Sequence, residues 1–130
     1  MTILVGYTPN REGEAALDYA IKQAEFFAED LLVVNAAAEQ TQADDLRLID
    51  EQQANRIRTW LAETPLSYDV RKYIRGKDAA EEIIELSEKH QVSLIVLGIR
   101  KRSPVGKLLL GSVAQSVLLR ATVPVTTVKA

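Results

Sequence analysis

The feature that most constrains this chain is a regular alternation. Five short β-rich apolar runs are each separated from the next by a segment whose apolar residues recur at helical spacing. The runs are Thr2–Gly6, Leu31–Ala37, Ser67–Ile74, Val92–Leu97 and Val123–Val128. Between the first two, Leu17, Ala20, Ile21, Ala24 and Phe27 predict an amphipathic helix over roughly residues 13–29. Leu46, Ile49, Gln53, Ile57, Trp60 and Leu61 predict a second, ended by Pro65. Asp78 is placed to cap a third with Glu81 as its capping-box partner, its buried face carrying Ala80, Ile83, Ile84 and Ser87. Gly111–Arg120 reads as a short fourth helix with Val113, Val117 and Leu118 inward, and Pro124 restricts pairing near the start of the last strand.

Strands joined by long helical crossovers form a parallel sheet covered on both faces. The expected fold is therefore an α/β three-layer sandwich, one domain over residues 1–130, with five parallel strands. In the order 3-2-1-4-5, ligands bind at the carboxyl ends of the strands where the order reverses, between strands 1 and 4. The loops there are Tyr7–Gly13 and Gly98–Gly111. The third run is only partly apolar and reads as an edge strand, and the fifth lies at the other edge.

Charge converges on the same place. Residues 1–97 hold ten Lys/Arg against eighteen Asp/Glu, a net of −8, whereas residues 98–130 hold six cations and no acid. Arg100, Lys101, Arg102 and Lys107 fall within eight residues. A basic cluster on an otherwise acidic chain indicates a local anion site rather than a polyanion surface. Gly98 ends a strand, and Gly111-Ser112 opens a helix whose first N–H groups are available to a phosphate. The competing reading is that the two glycines serve only a tight exit and close helix packing, with the cations solvated. Gly106-Lys107 is not the end of a P-loop: Lys101 stands where its first glycine belongs, and Leu108 where a Mg²⁺-binding hydroxyl belongs. The first strand is followed by YTPNREG, which excludes the dinucleotide fingerprint.

With these residues in view, the chain resembles a single-domain universal stress protein over essentially its whole length. Nucleotide-binding members of that family carry Gly, two residues, Gly, nine residues, then Gly-Ser/Thr. Gly98, Lys101 and Gly111-Ser112 keep that spacing, with Lys101 in place of the second glycine. The opening ILVGYTPNREGEAAL and the closing VPVTTV resemble the family's first and last strands. The resemblance implies a Rossmann-like, adenine nucleotide alpha hydrolase-like fold. It places Gly98, Ile99, Arg100, Lys101, Gly111, Ser112 and Val113 around ribose and phosphates, and Lys107 is a further cation for the phosphates. Ala36 falls near the adenine, and Thr8 and Pro9 belong to the first loop beside the ligand. Thr8 stands where the family typically has an aspartate, the second departure.

The resulting expectation is a cytoplasmic, stress-response regulatory protein that binds an adenine nucleotide: ATP, or AMP, with or without Mg²⁺. It acts as a homodimer through the last strand (Val123, Val125, Thr127), an exposed edge that a second copy would cover. Two alternatives stand beside it, a nucleotide-free dimeric interaction module and a slow ATPase. Catalysis is disfavoured because phosphoryl transfer needs a metal-holding carboxylate, and no acid follows residue 97. The single histidine, His90, sits at a helix end where a cation suits the dipole. Asp18, Asp44, Asp45, Asp50 and Glu51 read as solvated helix faces, Ser103 as an exposed loop serine, and Trp60, Phe26 and Phe27 as core or interface packing. Nucleic acid and membrane are not expected partners: aromatics are 5% of the chain, and no apolar run approaches the roughly 18 residues of a membrane span. The absence of cysteine excludes disulfides and thiolate chemistry, and the N-terminus lacks the basic region of a secretory signal.

Overall fold

The computed structural model describes residues 1–35, 49–72, 78–100 and 111–130. Strands and helices alternate: β1 (Thr2–Tyr7), α1 (Arg11–Phe27), β2 (Asp30–Asn35), α2 (Glu51–Ala62), β3 (Tyr68–Arg71), α3 (Ala79–Lys89), β4 (Val92–Ile99), α4 (Ser112–Arg120) and β5 (Val125–Lys129). All four strand pairings are parallel, in the order β3-β2-β1-β4-β5. The expected architecture and strand order are those observed. β3 is shorter than its β-rich run, and it does lie at an edge. β5 begins at Val125, so Val123 precedes the strand rather than belonging to it. Pro124, which has no N–H to give a ladder, separates the two.

Side-chain alternation divides the interior into two cores. Ile3, Val5, Tyr7, Leu31, Val33 and Val96 pack with α1 and α2 on one face. Leu4, Leu32, Val34, Ile95, Leu97 and Ile99 pack with α3 and α4 on the other. Because both faces are covered, the central strands read as continuous apolar runs. Each fully buried Leu, Ile or Val contributes about 1.5–3 kcal/mol relative to exposure.

Helix α1 buries Gly13, Ala16, Leu17, Ala20, Ile21 and Ala24, a stripe at the expected spacing. The stripe stops short of Phe27, which is 57% exposed, and Phe26 is 80% exposed; neither belongs to the core. Ala24, three residues before Phe27 on the same stripe, is fully buried, so burial ends within the last turn of α1. Leu118 is also exposed rather than inward, so α4 buries only Ala114 and Val117. Asp50 is a cap rather than a point on a helix face. Its carboxylate accepts from Gln53 N–H while Gln53 Oε1 accepts from Asp50 N–H, a complete capping box at α2. At α3, Asp78 accepts from Glu81 N–H as expected.

At Gly98 the sheet and α1 meet at close range. A Cβ built there would lie 2.1 Å from the carbonyl oxygen of Glu12 and 2.4 Å from its carbonyl carbon. Those atoms are backbone and have no rotamer into which to retreat. Gly98→Ala is expected to cost about 3 kcal/mol or more, the upper part of the overpacking range. Urea unfolding checks this, with Gly111→Ala as a control that loses no more than about 1 kcal/mol, the ordinary cost of alanine at a helix N-cap.

Candidate functional site

Where the strand order reverses, the carboxyl ends of β1 and β4 lie side by side, in register from Ile3↔Leu94 to Gly6↔Leu97. A tight polar turn comes after β1. Thr8 Oγ1 donates to Asn10 Oδ1 at 2.9 Å, and the same oxygen accepts from Gly13 N–H at 2.9 Å, capping α1. The hydroxyl of Thr8 is thus engaged with the cap. The expected site residues do not include Asn10, although an Asn just ahead of a helical pattern is a capping signal. Pro9 and Asn10 line a groove of about 530 Å³ with Tyr7, Glu14, Gln53 and Arg56.

A hydrogen-bonded network walls that groove and joins β1, α1 and α2. Tyr7 Oη donates to Glu14 Oε1 at 2.5 Å, and Arg56 Nη2 donates to Tyr7 Oη at 3.2 Å and to the Glu14 carboxylate. Arg56 lies 42 residues from Glu14, so no local spacing announces the contact. Burial, then the Glu14 carboxylate, pushes the Tyr7 phenol well above its ordinary value of 10.0, with Arg56 opposing. Behind the network, Asn35 is fully buried at the end of β2. Its Nδ2 donates to the Tyr7 carbonyl at 3.0 Å, and its Oδ1 accepts from Ile49 N–H at 3.0 Å, tying the end of β1 to the approach to α2.

On the other side of the crevice, Ile99 is buried in the α3/α4 core and offers the site backbone only. Arg100 is exposed, with its Nε 3.4 Å from Glu12 Oε1. Gly98 lies against the first turn of α1, so close packing is a sufficient reason for that glycine. Gly111 is different. It is the N-cap of α4 in extended conformation, and none of the described residues lies within 4 Å of the Cβ it lacks. The other three helices are capped by Asn10, Asp50 and Asp78 and carry acids in their first turns. α4 has no side-chain cap and no acid there. Its first turn, with exposed Ser112 and half-buried Val113, presents positive dipole uncompensated by any carboxylate of its own. Ala36, Lys101, Arg102, Ser103 and Lys107 lie outside the described residues, as do Asp44 and Asp45. Among those described, no cluster of three or more His, Asp or Glu is placed to hold a metal ion.

Comparison with known proteins decides the family. Residues 1–129 match the universal stress protein family. A universal stress protein of Mycolicibacterium smegmatis is 38% identical over 127 residues, covering 98% of this chain and 96% of its own length. The chain belongs to the universal stress protein family. Two solved universal stress proteins share its fold. One, from Archaeoglobus fulgidus in complex with dAMP, superposes with a TM-score of 0.69 at 20% identity, covering 97% of this chain and 94% of its own. The other, in complex with cAMP, gives 0.68 at 22% identity, covering 99% and 96%. In this universal stress protein the motif positions Gly98, Gly111 and Ser112 belong to β4 and the mouth of α4, the elements beside the reversal point. No helix among the described residues is long and apolar enough to cross a membrane.

The Tyr7 network has a consequence at high pH. An unfolded tyrosine ionises near 10.0, whereas the folded protein holds Tyr7 protonated beyond that point. Its contribution to stability is therefore complete below pH 10 and is lost as pH rises through the folded value. Tyr7→Phe is expected to cost about 1 kcal/mol at neutral pH through the lost hydrogen bonds. It should also flatten the loss of stability above pH 10, as read from urea midpoints across that range. An unchanged alkaline slope would show that Tyr7 is not the group responsible.

Proposed function

We propose that this universal stress protein binds an adenine nucleotide in the β1/β4 crevice, with the phosphates at the first turn of α4. The observation that carries the reading is Gly111. Its missing side chain would meet open space among the described residues, at the one described helix mouth that has neither side-chain cap nor acid. A bare helix N-terminus attracts phosphate through its free N–H groups and dipole. The dAMP and cAMP held by two proteins of the same fold support an adenine nucleotide as the ligand class. Gly98, Ile99 and Arg100 approach the ligand from β4, Thr8 and Pro9 from β1, and Ser112 and Val113 from α4. The cations Lys101 and Lys107 favour ATP over AMP, because each added phosphate brings charge to neutralise.

The role is regulatory rather than catalytic. Among the described residues, the acids at the crevice, Glu12 and Glu14, are engaged with Arg100 and with Tyr7 and Arg56 respectively. Neither is left to hold Mg²⁺ for phosphoryl transfer. The protein acts as a homodimer through β5, with Val125 and Thr127 at the seam and Val123 just ahead of it. β5 is an edge strand whose outer hydrogen-bonding groups face no other strand of the described sheet. Sedimentation should give twice the 14.4 kDa chain mass, falling to the monomer with Thr127→Asp, which sets like charges across the seam.

A second reading, a nucleotide-free interaction module, is favoured by two contacts: Thr8 already donates to Asn10, and Arg100 already pairs with Glu12. Calorimetric titration of nucleotide-stripped protein with ATP, with and without Mg²⁺ and with AMP as control, separates the two. ATP is expected to saturate one site per chain. Gly111→Glu, whose Cβ would meet no described residue within 4 Å, places a carboxylate at the phosphates, and should weaken binding about tenfold or more, roughly 1.4 kcal/mol. Silence at millimolar ATP decides for the interaction module.

A further inference from the structure

The end of α1 carries an exposed surface that the nucleotide crevice does not use. Phe26 and Phe27 are 80% and 57% exposed, and their rings meet edge to face with centroids 5.0 Å apart. Contiguous exposed aromatic surface is uncommon on a water-facing helix and marks a place of contact. Exposed Met1 lies at the same end of the sheet, its carbonyl accepting from Asp30 N–H.

The chain segment that carries the rings is acidic. Glu25, Glu29 and Asp30 flank them, and residues 23–46 contain no Lys or Arg. α1 has no basic residue in its last turn, so the negative end of its dipole adds to the three carboxylates instead of being offset. The nearest cation on the helix, Lys22, is paired one turn back with Asp18 at 2.9 Å. Glu29 accepts from Ser93 Oγ at 2.8 Å, a contact that orients one oxygen without neutralising the charge. The end of α3 differs, because Lys89 sits in its last turn.

We infer that the Phe26–Phe27 pair and its acidic rim form a docking surface for an arginine-bearing, partly apolar segment of a partner protein. Guanidinium groups stack on phenyl faces and pair with carboxylates, so a single residue type satisfies both halves of the surface. Apolar neighbours in such a segment cover what remains of the rings. A second copy packed face to face would set Glu25, Glu29 and Asp30 against their own images, and an anionic lipid surface would be repelled likewise. The surface is independent of nucleotide binding, so either proposal stands if the other falls.

The probe is a synthetic peptide alternating arginine and leucine, with its binding read from amide chemical shifts of the full chain. Controls replace its leucines by serine or its arginines by glutamate. Shifts centred on residues 25–30, saturating and weakened by added salt, are expected with the first peptide alone. Phe26→Ser with Phe27→Ser should weaken binding about tenfold or more, as should Glu25→Lys with Asp30→Lys. These side chains are exposed, so the variants are expected to keep the parent's unfolding midpoint and ATP titration. Absence of saturation, shifts centred elsewhere, or equal affinity in either double variant overturns the inference. So does self-association of the parent that the Phe26 and Phe27 changes abolish while peptide binding is unaffected, because the surface is then an interface between copies.

Discussion

The contact between Gly98 of β4 and the backbone of Glu12 in α1 is the constraint on which the carboxyl end of the sheet depends. It brings the first turn of α1 down onto the strand across the β1/β4 boundary. From there the turn's cap, Asn10, holds Thr8 and Pro9 beside the crevice, and Glu12 reaches Arg100. A larger residue at Gly98 would lift the helix and move each of these groups together. Close packing, rather than ligand approach, is thus the first demand on this glycine, and the crevice inherits its shape from that demand.

The two glycines of the motif divide the work. Gly98 is occupied on its Cβ side by backbone, and Gly111 meets no described residue there. The sequence treats them alike, since either could serve a turn or a ligand. Only the positions of their neighbours distinguish packing from openness. The same holds for the cations: Arg100 counts toward the basic cluster in the sequence, yet its guanidinium pairs with Glu12 across the crevice.

Two helix ends carry local fields of opposite sign. Acid-free sequence runs on from the carboxyl end of β4, where α4 also points its positive dipole outward. At the opposite end, α1 finishes among Glu25, Glu29 and Asp30 with no cation in its last turn. A parallel α/β fold aligns its helices so that their N-termini face one end. At the mouth of α4 the dipole meets no acid in the first turn, and at the end of α1 the carboxylates add to it, favouring anions at the first and cations at the second.

The alternating periods of the sequence were sufficient for the element order and the parallel sheet. Covered strands must be apolar throughout and crossover helices must be amphipathic, and both patterns are local. Local too were the cap at Asp78 and the edge position of β3. What only tertiary structure decided were contacts between residues distant in the chain: Arg56 with Tyr7 and Glu14, Asn35 with Tyr7 and Ile49, Glu12 with Gly98 and Arg100. It also decided where an amphipathic stripe ends. Phe27 continues the spacing of Ala20 and Ala24, but burial requires a surface to pack against, and along this stripe burial ends at Ala24.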